Sequence, residues 1–359
     1  MKNTRKVLLL APIIVVLGVA LSGLVFVARR SAPHIQSAVD SRRTSSFEGG
    51  ISSPPNLPRL TSKAGLIVVG SVIDAPGASM RKSSLDEKSY SYDATLRVDR
   101  LLKGSLDQPT VTVKVTDSPG SAPNGKSIAP SVYAIFFLSQ ESRTLYLLAD
   151  PNVQALVAAE GAPIPRGDAL ECVVSEISYV LNSPHSSRLD RLQAISALMT
   201  VDSQQANEAL RRATISDDAN VKLEAEAALL RHNDISVLEQ VQDILLKAPR
   251  DSSDRAVGHL SFAILLGVKD PNAVTILSHL LGARDANVRY AAAHALRETH
   301  AQTAIGPFST ALNDSDQMVR YNAVAGLAEI TGDLFHEPSI DLFKREENKY
   351  LTYWRERVK

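Results

Sequence analysis

Four basic side chains occupy one position of a recurring pattern: Arg191, Lys222, Arg289 and Arg320, with Gly258 breaking the series. Cations repeated at fixed spacing can form a ladder along one edge that meets the carboxylates or phosphates of a partner, or they can pair with acidic helix caps of neighbouring repeats. Sequence leaves both readings open, so these four are the candidate partner-binding residues. Tyr290 and Tyr321 align with Leu192 and Leu223 and read as core residues, with ligand stacking the alternative. His294 lies beside that core and reads as hydrogen-bonded structure. The remaining chemistry is sparse. The chain has no HExxH, GxSxG, GxxxxGK[ST] or Rossmann glycine fingerprint. Eight histidines are scattered with no i, i+4 pair on one helix, and His294 and His300 are spaced to point to different sides. Cys172 stands alone, which excludes an intramolecular disulfide and a thiolate metal cluster, and it reads as a small buried hydrophobe. No catalytic, cofactor-binding or metal-ligating residue is assigned. A non-enzymatic protein is expected.

The elements that carry the ladder are repeats. DANVKLEAEAALL from Asp218, DANVRYAAAHALR from Asp285 and DQMVRYNAVAGLA from Asp316 align directly, and Ser187–Leu198 and Asp254–Leu265 fit the same frame. The closing leucines, Leu198, Leu229, Leu265, Leu296 and Leu327, are separated by 31, 36, 31 and 31 residues. Ser187, Asp218, Asp254, Asp285 and Asp316 open each copy with a side-chain oxygen suited to the free N–H groups of a helix start. Small residues, such as Ala225, Ala292 and Ala323, then Ala228, Ala295 and Gly326, recur on one face and let a neighbouring helix approach closely. Partner helices follow at Leu238, Val241 and Leu245, at Val274, Leu277 and Leu281, and at Ile305, Phe308 and Leu312. The first partner, 205–214, is more polar, as an end cap would be. The loop from Lys247 to Asp254 absorbs the longer step.

This pattern resembles HEAT-like repeats, in particular the short class first recognised in phycobilisome lyases, over about 150 residues from Ser187 to near Asp333. The resemblance implies an α-solenoid over 168–335 that binds a protein or peptide. It also implies an alternative, lyase-like or chaperone handling of a cofactor-bearing client. A helical connector is expected from Asp168 to Leu181, placing Cys172 against the neighbouring domain. Phe343, Tyr350, Leu351 and Trp354 share one face of a closing helix over 336–359.

Between 63 and 165 the pattern changes to short apolar runs broken by turn residues: Gly65–Asp74, Tyr90–Leu102, Thr110–Val115, Val132–Leu138 and Thr144–Ala149. Tyr92, Ala94, Leu96 and Val98 share one face of the second run, so a small β-barrel or sandwich is expected. Its long loops, 75–88 and 117–130, read either as binding loops or as tolerated insertions. The Val-Val-Gly strand, the Leu-Lys-Gly turn and the Tyr133–Leu138 strand resemble netrin-module-like OB barrels of bacterial envelope proteins. The cysteines on which the related metalloproteinase inhibitors depend are absent, so protease inhibition is not implied.

Ahead of these domains, Lys2, Arg5 and Lys6 precede an apolar run, Val7–Ala28, closed by Arg29 and Arg30. Twenty-two residues make a helix of about 33 Å, enough to cross a hydrocarbon core of about 30 Å. Phe26 sits poorly in a small-x-small cleavage site, so residues 1–30 read as an uncleaved signal anchor, with a cleaved secretory signal the competitor. Residues 31–62, rich in Ser, Pro, Gly and Arg, read as a flexible tether. The expectation is a single-pass membrane protein of the bacterial envelope with its body exported. Thirty-nine basic and 39 acidic residues cancel, which argues against nucleic acid as the partner.

Overall fold

The computed structural model describes residues 54–76, 90–117 and 126–358. The predicted anchor through 7–28, the tether up to residue 53 and most of the two long barrel loops lie outside the described residues. No helix among the described residues is long and apolar enough to cross a membrane.

The chain enters as a helix, α1 (Leu57–Lys63), started by Asn56, whose side chain accepts the Arg59 N–H, with proline in its first turn. This corrects the tether reading at its C-terminal end. Leu57 and Leu60 are buried, so the last residues of the 31–62 stretch belong to the folded body. Polar composition concealed two leucines at i, i+3.

Six strands follow: β1 (Leu66–Asp74), β2 (Tyr90–Lys103), β3 (Thr110–Asp117), β4 (Tyr133–Gln140), β5 (Leu145–Leu148) and β6 (Leu156–Val157). β1 pairs with both β2 and β4, β2 with β3, β3 in parallel with β5, and β5 with β4. The order β1-β2-β3-β5-β4 therefore closes on itself as a five-strand barrel, with β6 added on β4. Tyr92, Ala94 and Leu96 line its interior, as their alternation predicts. β1 and β4 do not alternate. Leu66 and Val68, with Ala134, Phe136 and Leu138, fill the barrel, while Ile67, Val69, Ile135 and Phe137 are equally buried on its outside. A strand covered on both faces reads as a continuous apolar run, which is why LIVV and AIFFL look as they do.

The cover is helical. α2 (Ala169–Asn182) opens with an Asp168–Glu171 capping box and buries Cys172, Val173 and Ile177 in the same cluster as the barrel's outer face. Helix pairs succeed it: α3 (Arg188–Leu198) with α4 (Gln204–Ala213), α5 (Ala219–Arg231) with α6 (Leu238–Lys247), α7 (Arg255–Gly267) with α8 (Val274–Leu280) and α9 (Ala286–Glu298) with α10 (Ile305–Ala311). α11 (Gln317–Thr331) then packs under the closing helix α12 (Ile340–Arg357), which buries the four predicted residues, Phe343, Tyr350, Leu351 and Trp354. Residues from Pro54 onward form one compact unit.

All five anticipated caps accept hydrogen bonds from their own first turns. Consecutive long helices pack directly on one another, whereas the shorter partners touch less, so the long helices form the tighter layer of the curve. Three details differ from the repeat frame. Leu265 is only partly buried and Ile264 takes its place, because α7 makes its close approach through Gly267: a Cβ there would stand 2.1 Å from the Leu230 carbonyl oxygen. In the partner helix α8, Leu280 is fully buried and Leu281 only partly. α4 is not terminal, since α2 packs against both α3 and α4, and its short apolar face is Ala206, Ala209, Leu210 and Ala213.

Candidate partner-binding surface

The four cations of the ladder each stand one turn into a long helix, and Arg289 and Arg320 use most of their hydrogen-bonding capacity within the fold. Arg289 gives Asp314 two bonds, at 2.8 and 3.0 Å, and reaches the Ala283 and Arg284 carbonyls and the Ser315 hydroxyl. Arg320 bonds Glu347 at 2.6 Å and the Asp314 carbonyl at 2.7 Å. Arg191 donates to the Ser183 carbonyl at 3.1 Å. Lys222 is the freest, 45% exposed and 3.8 Å from Glu226. These guanidinium groups tie each long helix to the loop before it, and in the last two repeats to the next element as well. Where Gly258 lacks one, the longer loop substitutes: Ser252 N–H donates to Asp285 at 2.7 Å. The ladder is thus chiefly a row of staples, with Lys222 its most available member.

Tyr290 and Tyr321 are nearly buried, Tyr321 edge-on to Phe343. His294 is half-buried with Nδ1 unpartnered, and burial depresses its pKa; the hydrogen bond expected there is not made by that atom. Beyond it Arg297 bonds both Glu329 and Glu337, and its charge is reinforced by them despite burial.

A different seam, between α5 and α7, carries features that the repeat frame passed over. Arg255, His259, Phe262 and Leu266 form one stripe of α7 at i, i+4, i+7 and i+11. Phe262 is 36% and Leu266 53% exposed, whereas Ile195, Ala293 and Val324, at the position of Phe262 in other copies, are buried. Across the seam Glu224 accepts a hydrogen bond from Arg255 at 3.3 Å, and His259 Nε2 stands 2.9 Å from its other carboxyl oxygen. Burial works against ionisation of Glu224, yet the hydrogen bond and charge of His259, with Arg255 and Arg231, hold its carboxyl below the usual range. Arg231 lies over the Phe262 ring at 5.4 Å, its Nε buried and unpartnered, and burial lowers its pKa. The available signal was columnar: a phenylalanine and a leucine exposed where other copies carry buried residues.

No group of three or more His, Cys, Asp or Glu side chains among the described residues is placed to hold a metal ion. Against known families, the model of HEAT repeats matches residues 243–328 and again 273–345. The C-terminal half carries HEAT repeats. The HEAT matches run from the end of α6 to the start of α12, and so include the α7 side of the seam and the irregular loop before it but not α5. A search of the curated proteins finds no match. Among solved structures, a human deoxyhypusine hydroxylase in complex with glycerol is similar at 16% identity over 51% of this chain and 74% of that one, with a TM-score of 0.23. At that score the likeness carries no argument.

Proposed function

We propose that this chain is a non-enzymatic scaffold whose HEAT surface binds a protein or peptide, held at a membrane by residues 7–28 with its body exported. The observation that carries the reading is the solenoid itself: long helices stacked into one continuous surface, closed at one end by the barrel and at the other by α12. HEAT repeats generally mediate protein binding, and a fixed stack of helices offers a large surface without needing to reorganise. The membrane part rests on the length of the apolar run and its basic flanks. The strand order, with β3 and β5 parallel, supports an OB-type barrel, whose role here is to brace the first repeat.

Affinity capture with the full chain in detergent, followed by crosslinking, tests the scaffold. One protein is expected to crosslink to the helices of 187–331. A co-purifying pigment or cofactor, or turnover of a client's prosthetic group, would replace this reading with lyase-like handling. Protease digestion of intact cells tests the topology: loss of the body is expected, and its protection would refute export.

A further inference from the structure

We propose that the seam of α5 and α7 is a docking site for a peptide segment of the partner protein in which an aliphatic or aromatic side chain stands close to a carboxylate. The apolar side chain covers Phe262 and Leu266, and the carboxylate pairs with Arg231. This deepens the scaffold reading and rests on it.

Three independent observations converge there. Charge is the first. Arg231 and Arg255 surround a single carboxylate, Glu224, which already serves Arg255 and His259. Arg231 is left with no hydrogen bond or ion pair among the described residues, so the seam carries unspent positive charge beside apolar surface. A half-buried guanidinium has given up part of its hydration, and an incoming carboxylate restores what was lost. The second is apolar exposure in one copy at two columns that bury their residues elsewhere. Leu230 and Ala328, the counterparts of Leu266 in the second and fifth copies, are fully buried, yet Leu266 is open. The third is local irregularity. The same copy has the 36-residue step, the cap loop that replaces the missing ladder cation, and Gly267 pressed against Leu230 and Arg231. That close contact fixes the end of α5 beside α7, so Arg231 is held next to Phe262 before any partner arrives.

The chemistry selects the occupant. An apolar face alone would suit a second copy of this chain or a hydrophobic helix. Arg231, whose acidic neighbour Glu224 is already engaged by Arg255 and His259, has room for a second carboxylate, and one flanked by apolar groups satisfies both halves of the seam. A phenylalanine under a guanidinium also keeps its planar fork oriented for a two-point contact with a carboxylate.

Random peptides displayed on phage, panned against the full chain in detergent, provide the probe. Enriched sequences are expected to place Asp, Glu or the free C-terminus within a few residues of Leu, Ile, Phe or Trp. A synthetic peptide of the enriched sequence, followed by fluorescence anisotropy, should lose at least tenfold in affinity on Arg231→Gln and on Leu266→Ser. Lys344→Ala, on α12, should leave binding unchanged. Replacing the peptide's carboxylate by its amide should cost a similar factor against the native chain and little against Arg231→Gln, which assigns the charge pair. Circular dichroism melts of each variant separate lost binding from lost folding, and Arg231→Lys is the milder variant if Arg231→Gln unfolds. Enriched peptides indifferent to both seam variants would overturn this site and leave the scaffold standing. Self-association of the chain, abolished by Leu266→Ser, would replace the peptide by a second copy and overturn the proposal. Absence of any enriched peptide, together with failure of the crosslinking capture, would remove the scaffold and the site together.

Discussion

At the scale of single residues, the buried carboxylates divide by whether they have a partner. Glu176 receives Arg100 at 2.9 and 2.7 Å, and Arg100 also reaches the Ala159 carbonyl. Glu226 is 2% exposed with one carboxyl oxygen unbonded and only Lys222, at 3.8 Å, nearby. Burial raises the Glu226 pKa above its unfolded value. The folded state therefore holds that proton more tightly, and stability is lost as pH rises through the folded pKa. Glu226→Gln is expected to gain about 1 kcal/mol near neutral pH, with the difference vanishing below about pH 4, where the unfolded carboxyl is also protonated. Denaturant titrations of both proteins across that range check it. A gain that persists in acid would mean packing, not ionisation, is responsible. In sequence Glu226 looked like one more polar residue of a helix, because burial belongs to the neighbouring helices and not to the residue.

Elements show why the repeat was legible. A cap, a small residue and a leucine all act within one helix and its nearest neighbour, so their spacing survives in the sequence; Asp218, Ala225 and Leu229 are one such set. In the third copy the cap Asp254 was legible but the partial exposure of Leu265 was not, since Gly267 makes its close contact at a position where the other copies carry Thr200, Arg231, Glu298 and Glu329. The small-residue column has a measurable consequence. A Cβ on Gly326 would lie 2.5 Å from the Phe308 ring. Gly326→Ala is expected to cost about 1–3 kcal/mol through overpacking, and Phe308→Leu should recover part of it in thermal melts. The candidate ladder was legible as a column of cations, with pairing inside the fold one of its two readings, but the partners were not, because Asp314 and Glu347 come from the next loop and from the closing helix and are not the anticipated caps. Removing α12 before Phe343 would uncover Tyr321 and strip Arg320 of Glu347. A fall of several degrees in Tm is expected, read by calorimetry.

For the whole molecule, the division into a β domain over 63–165 and a solenoid over 168–335 follows composition but not the core. One apolar cluster runs from Leu57 through Phe137 and Ile177 to Trp354. Outward-facing Ile67 and Phe137 carried no sign of their cover, since an apolar run looks the same whichever element lies over it. Barrel and helices should therefore melt in a single transition. Arg100→Met leaves Glu176 buried without its cation and is expected to cost about 3–5 kcal/mol, with most of that recovered in Arg100→Met with Glu176→Leu. Two separated transitions in the native chain would show that the shared core does not couple its halves.

The same sharing limits how such a chain can change its length over evolutionary time. With the first hairpin fused to a β-barrel and the last hidden beneath Phe343 and Trp354, neither end offers a surface on which another hairpin can grow. Tandem duplication is viable only for an interior copy, where a new 31-residue unit meets faces shaped like its own.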